Sequence, residues 1–367
     1  MDLSVKVALR GALSSAVCAF SFCVPALHAQ QANANMPQVK VSQADTDAAQ
    51  EAGPGRIHGL PANIIGARGK LESLQRQRNA VAPSLRPAPF TDGDSDDFLF
   101  GPHFFPGDLS SGGGPTLQTT EFHAIYVNAP GSIASTWGNP EGFLRDLNRS
   151  TFIQITDQYV GAFGGDRYPV GSHAMVQFGT PGVTLYETDI EAIVHAVAVQ
   201  TGAGGGNLYH VFLPPGTDTC FSPPTPQNPV PECYSPDNPA TFVFCGYHDA
   251  VQFNDIGIAL FTVQPWQGPG SGCEIASPAP NGVLIDSTDN VLSHESFEAI
   301  TDPLPGLGFS NQTGGVLTGQ EIADECVLFN LTNSPGAYSP PTFLINGKKY
   351  AVQLEYSNKF HACVTQP

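Results

Sequence analysis

Charge is scarce in this chain, and positive charge is scarcer still. Asp, Glu, Lys and Arg make up 13% of the 367 residues, with 15 bases against 33 acids and a formal charge of −18. Gripping nucleic acid or an anionic membrane requires a basic face, so this balance excludes both as main partners. After the first thirty residues, no stretch is long and apolar enough to span a bilayer. No cysteine belongs to a C-x-x-C pair, which argues against a thiolate zinc site and thioredoxin-like chemistry. A G-x-S-x-G nucleophile elbow is absent. The glycine run Gly202–Asn207 lacks the Lys-Ser/Thr of a phosphate loop. There is neither an internal repeat nor a collagen-like period.

What the chain has in quantity is glycine (39), proline (33) and phenylalanine (23), with 41% hydrophobic residues. That is enough apolar material for a sizeable core, and enough turn formers for long loops. Lys6 and Arg10 precede an apolar run, Ala12 to Leu27, followed by small residues at Ala29, Ala32 and Ala34. This is the layout of a signal peptide over residues 1–29, and it predicts an extracellular or periplasmic protein without stable membrane insertion after cleavage. Cleavage after Ala29 removes one acid and two bases and leaves a formal charge of −19. Six cysteines then remain: Cys220, Cys233, Cys245, Cys273, Cys326 and Cys363. An even count in an exported chain predicts three disulfides, with 15 pairings open. Sequons stand at Asn148, Asn311 and Asn330.

Residues 30–115 hold Gln-Ala tracts, scattered proline and the acidic run Asp92 to Asp97. They read as a flexible leader or propeptide with a short docking segment at Phe98–Phe105. From 116 to 367 the chain predicts one loop-rich, disulfide-stapled α+β domain, with strands and helices mixed and a zincin-like helix. Strands are expected at Phe122–Val127, Leu208–Leu213, Thr241–Cys245 and Ile256–Thr262, and helices at Glu141–Val160, Ile190–Val199 and Ser287–Ile300. Residues 214–240 read as a stapled surface loop. Asn346-Gly347 predicts a hairpin turn between Thr342–Ile345 and Tyr350–Tyr356. The domain is read as a monomer.

The chemistry concentrates in L-S-H-E-S-F-E-A-I-T-D-P, Leu292 to Pro303. His294 and Glu298 are four apart and share one helical face. Imidazole nitrogen and carboxylate oxygen are both ordinary zinc ligands. Glu295 holds the place of the general base in H-E-x-x-H enzymes, here written H-E-x-x-E. Catalytic zinc usually takes three protein ligands. Glu321 and Asp324, in G-Q-E-I-A-D-E-C, are candidates for the third. Against this stands an ordinary helix with a hydrogen-bonded core histidine and solvated glutamates. Trp137 and Trp266 are candidates for a sugar-binding face, although core packing is the commoner fate of such rings.

Four blocks in order carry a resemblance: F-C-G-Y-H-D-A (Phe244–Ala250), S-H-E-S-F-E-A-I-T-D-P (Ser293–Pro303), Q-E-I-A-D-E-C (Gln320–Cys326) and the stretch Phe343–Cys363. Over residues 120–367 the chain resembles the phosphate-induced, or EXORDIUM-like, proteins. Asp302 stands where the plant members usually have Asn, and Ala323 where they have Gly. The resemblance implies a secreted protein of a family whose plant members are associated with cell expansion and growth responses. It adds His248, from C-G-[FY]-H, to the candidate third ligands. The function expected is a zinc-dependent, metallopeptidase-like hydrolase acting on peptide or cell-wall polysaccharide. The alternatives are a non-enzymatic signalling or wall-associated module with a structural metal or none, and a carbohydrate-binding role.

Overall fold

The computed structural model describes residues 38–52, 86–87, 104–105, 107–276, 278–313, 318–327 and 339–367. The expected signal peptide, Phe98–His103 of the docking segment and Asn330 lie outside the described residues. A six-stranded sheet forms the centre. Its strands are β1 (Gln38–Lys40), β2 (Glu121–Val127), β3 (Ala174–Gln177), β4 (Asn207–Phe212), β5 (Tyr247–Phe253) and β6 (Gly257–Gln264), in the spatial order β1-β3-β2-β4-β6-β5. All neighbours pair in parallel except β5, which runs antiparallel to β6 at one edge. Parallel strands lie buried on both faces and read as continuous apolar runs, as F-H-A-I-Y-V does in β2.

Helices cover both faces. α1 (Gln43–Ala52) packs on α3 (Glu187–Thr201), which lies against one face. α2 (Pro140–Asn148) and α4 (Val283–Thr301) pack together on the other side. The alternation of β2 divides the core accordingly: Phe122, Ala124 and Tyr126 join the α2/α4 side, and Ile125 and Val127 join the α3 side. The domain is thus mixed α and β with several small sheets and three disulfides, Cys220–Cys233, Cys245–Cys273 and Cys326–Cys363. Among the described residues no helix is long and apolar enough to cross a membrane.

Several elements differ from the sequence reading. Residues 38–52 fall in the presumed leader, yet β1 extends the sheet, and His195 of α3 pairs with Asp45 of α1 at 2.7 Å. The expected helix Glu141–Val160 is broken after Asn148. There the Ser150 hydroxyl donates to the Leu147 carbonyl and accepts from the Ile153 amide. Such local side-chain bonds compete with the helical ladder. A 3-10 turn, Ile153–Thr156, and a short helix, Asp157–Val160, follow. Thr241–Cys245 forms only an isolated bridge at Phe242, and the strand comes after it, as β5. The expected helix at Ser287 begins earlier, after Gly282. The second hairpin arm also divides: β7 (Thr342–Ile345) pairs with β8 (Lys348–Ala351), whereas β9 (Glu355–Ser357) pairs with β10 (Ala362–Val364). Asn346 and Gly347 both take positive φ, as a tight hairpin turn of this kind requires. Asn148 and Asn311 are buried, so neither sequon is open to a glycan in the folded domain.

Candidate metal centre

α4 is an unusually polar helix for a buried one: every residue from Asp286 to Thr301 is buried. Four of its hydroxyls are satisfied by back-bonding, and that of Ser293 is not. Ser287, Thr288, Ser296 and Thr301 each donate to the carbonyl four residues earlier. Imidazole and carboxylate side chains have no such outlet. His294, Glu295 and Glu298 instead meet groups from three other elements. His248 comes from β5, Asp324 opens the short helix α5 (Asp324–Val327) with Glu321 three residues before it, and Glu355 comes from β9. All six candidates named from sequence are therefore in one cluster, each about 3% exposed or less.

Each histidine has one nitrogen committed and one bare. Gln353 Nε2 donates to the Ala323 carbonyl at 2.9 Å, so its Oε1 faces His294 Nδ1 at 3.0 Å and accepts a hydrogen bond from it. In the neutral ring His294 Nε2 is then the lone-pair nitrogen, 3.1 Å from Glu298 Oε1 and 3.7 Å from Asp324 Oδ1. His248 repeats the pattern. Its Nε2 donates to the Asp302 carbonyl at 3.0 Å, and its Nδ1 lies 3.6 Å from both Glu295 Oε2 and Glu298 Oε2. Glu321 Oε2 lies 3.6 Å from the committed nitrogen, Nε2. Neither His294 Nε2 nor His248 Nδ1 has a hydrogen bond, and the same holds for both oxygens of Glu295 and of Asp324. Buried polar atoms left this way cost free energy unless something fills the space between them.

A divalent cation fits that space. Tetrahedral zinc, with bonds of about 2.0–2.2 Å, holds its ligand atoms roughly 3.3–3.6 Å apart. The separations of 3.6–3.7 Å are too long for hydrogen bonds but close to that ligand spacing. Two sets of three donor atoms lie within 4.8 Å of one another: His294, Glu298 and Asp324, and His248, Glu295 and Glu298. The committed imidazole nitrogens match the usual pattern of a metal-ligating histidine, whose other N–H is held by an acceptor.

Without a cation, protons balance the site. Burial disfavours the charged form of His248, but Glu321, Glu295 and Glu298 outweigh it and hold the imidazole well above its ordinary value. Burial likewise opposes charge on His294, and Glu298, Glu295 and Asp324 outweigh it. Glu298 is pushed up by burial and pulled down further by His294 and His248, to about 2. Burial drives Glu321, Asp324 and Glu355 well above the carboxylate range. A cation entering this set displaces protons, so its affinity falls as pH falls.

Sequence reasoning missed Gln353, Glu355, the Asp302 carbonyl and Gly246. Gln353 and Glu355 were visible as polar residues in the otherwise apolar run A-V-Q-L-E-Y. Gly246 matters through space: a Cβ there would lie 2.6 Å from Val291 Cγ1 and 2.8 Å from Glu295 Oε1. Gly246→Ala should therefore push α4 off β5 and cost about 1–3 kcal/mol of stability. Chemical denaturation paired with metal content checks this, and unchanged values in both would remove Gly246 from the site. The proposed sugar-binding face is not formed at Trp137, which is buried with its indole N–H donating to the Leu213 carbonyl. Trp266 is partly buried, and its N–H donates to the Thr136 carbonyl. His123, His173, His210 and His361 lie apart from the cluster in separate contacts. Compared with protein-family models, curated proteins and solved structures, the chain finds no match.

Proposed function

We propose that this is an exported, EXORDIUM-like zinc protein with metallopeptidase-like hydrolase chemistry. The observation that carries the reading is the pair of bare, buried imidazole nitrogens, each facing two carboxylates with no hydrogen bond to satisfy it. His294, Glu298 and Asp324 would hold the zinc. Bound there, zinc would supply Lewis acidity toward a carbonyl and toward water. Gln353 fixes the His294 ring so that Nε2 faces the ligand set. Glu295 follows His294 on α4 and has both carboxylate oxygens free of hydrogen bonds, so it can take a proton from water. The predicted signal peptide and the three disulfides support export. Peptides, or the polysaccharides of a cell wall, are the proposed substrates.

A second reading has its own observation. Every ligand candidate is buried, which suits a cation that fastens β5, α4 and α5 together in a non-enzymatic extracellular module. Glu295→Gln separates the two. With a mixed-peptide substrate library, turnover should fall by at least a hundredfold while the zinc held by His294, Glu298 and Asp324 stays. A wild-type protein that carries zinc but cleaves nothing would leave the structural role.

A further inference from the structure

We propose that the centre holds two divalent cations, with Glu298 as the carboxylate bridge between them. This rests on the metal-binding reading above and extends it from one ion to two. Glu298 is the only residue common to both donor sets found among the described residues. Its two oxygens face different histidines. Oε1 faces His294 Nε2 at 3.1 Å, and Oε2 faces His248 Nδ1 at 3.6 Å. One ion falls to His294, Asp324 and Glu298 Oε1, and the other to His248, Glu295 and Glu298 Oε2. Carboxylate-bridged pairs of this kind place their ions about 3.5–4 Å apart.

Three observations favour two ions over one. Each histidine independently has its far nitrogen fixed, by Gln353 or by the Asp302 carbonyl, and its near nitrogen bare. A single ion at His294 would leave His248 Nδ1 and both Glu295 oxygens without a partner in a buried site. The charge balance points the same way. Glu295, Glu298, Glu321, Asp324 and Glu355 are all buried here, and no lysine or arginine ion pair reaches any of them among the described residues. One dication offsets two of these carboxylates, and two offset four. With two ions Glu295 would be a ligand of the second, and the pair would supply Lewis acidity toward the attacking water and the carbonyl oxygen of a hydrolysable ester or amide.

The test is zinc stoichiometry on the full mature protein. It is equilibrated with zinc chloride, dialysed into zinc-free buffer, and read by elemental analysis and by titration calorimetry. Two equivalents are expected. Asp324→Asn and Glu295→Gln should each fall to one, and Glu298→Ala should lose both. Circular dichroism on each variant confirms folding, and the wild-type count stands even where a variant does not fold. Cobalt substitution gives a second readout, because two ions sharing a carboxylate show magnetic coupling in electron paramagnetic resonance. One equivalent in the wild type, kept in Glu295→Gln, overturns the paired centre and leaves the single-zinc reading intact. No bound zinc overturns both.

Discussion

Chelation of the mature protein is expected to lower its thermal midpoint by roughly 8–16 °C. A ligand bound only by the native state stabilises it by about 4 kcal/mol at a thousandfold excess over Kd. For a domain of this size each kcal/mol shifts the midpoint by about 2–4 °C. The effect should be this large because a bound cation would be what pairs the buried set. Once it leaves, protons must take its place, and the approaches of His294 and His248 to Glu298, Glu295 and Asp324 replace metal bonds with buried ion pairs mostly too long for hydrogen bonds. Surface pairs offer no comparable reserve: Arg149 and Asp166 meet at 3.6 Å with both side chains largely in water, an arrangement worth about 0–1 kcal/mol. Scanning calorimetry before and after chelation reads the shift. Restoring zinc should restore the midpoint, and magnesium should not, because imidazole donors suit zinc better than magnesium. An identical midpoint in the chelated protein would sink the metal centre.

The site was more legible in the sequence than the scaffold that presents it. His294 and Glu298 follow from helical spacing alone, and that helix exists. The meeting of His248, Glu321 and Asp324 with them could not be read from spacing, because β5 and α5 lie far from α4 in the chain. Glu321 and Asp324 were candidates as a nearby acidic pair and His248 only through the family-like blocks, and neither signal said which acid goes with which histidine. Geometry divides them: Asp324 falls to His294, whereas Glu295 falls to His248. Gln353 and Glu355 were missed because strand-like runs are read for apolar alternation, and a polar residue in them is taken to face water. Here β9 is buried throughout, so both faces point inward. The break after Asn148 was missed for another reason. Apolar periodicity continues through Phe152, Ile153 and Ile155, and nothing in that pattern records that Ser150 turns back on Leu147. The edge strand β1 escaped because three residues are too few to show a period.

The largest covalent effect should come from the Cys326–Cys363 bridge. It closes a separation of 37 residues, against 13 for Cys220–Cys233. The chain-entropy relation gives about 4 kcal/mol for the longer loop and about 3 kcal/mol for the shorter. That difference is small, and the locations separate the two bridges far more. Cys326 belongs to α5, two residues after Asp324, and Cys363 belongs to β10, which pairs with β9 and so holds Glu355 and its neighbour Gln353 in place. Removing the bridge frees α5 from β10 just where Asp324 meets His294 and where Gln353 orients that ring. The double variant Cys326→Ser/Cys363→Ser should therefore lose stability and zinc together, with affinity down by about ten- to a hundredfold, as when the supports of a ligand are removed. Cys220→Ser/Cys233→Ser is the control. Its bridge joins two short strands beside Leu185–Tyr186, and no candidate ligand lies on them. That variant should lose comparable stability and keep its zinc. Denaturation midpoints and zinc titrations on both variants decide the matter. Equal zinc affinity in the two would mean that α5 holds Asp324 without the disulfide, through the packing of Ile322 and Ala323 and the hydrogen bonds their carbonyls accept from Tyr356 and Gln353.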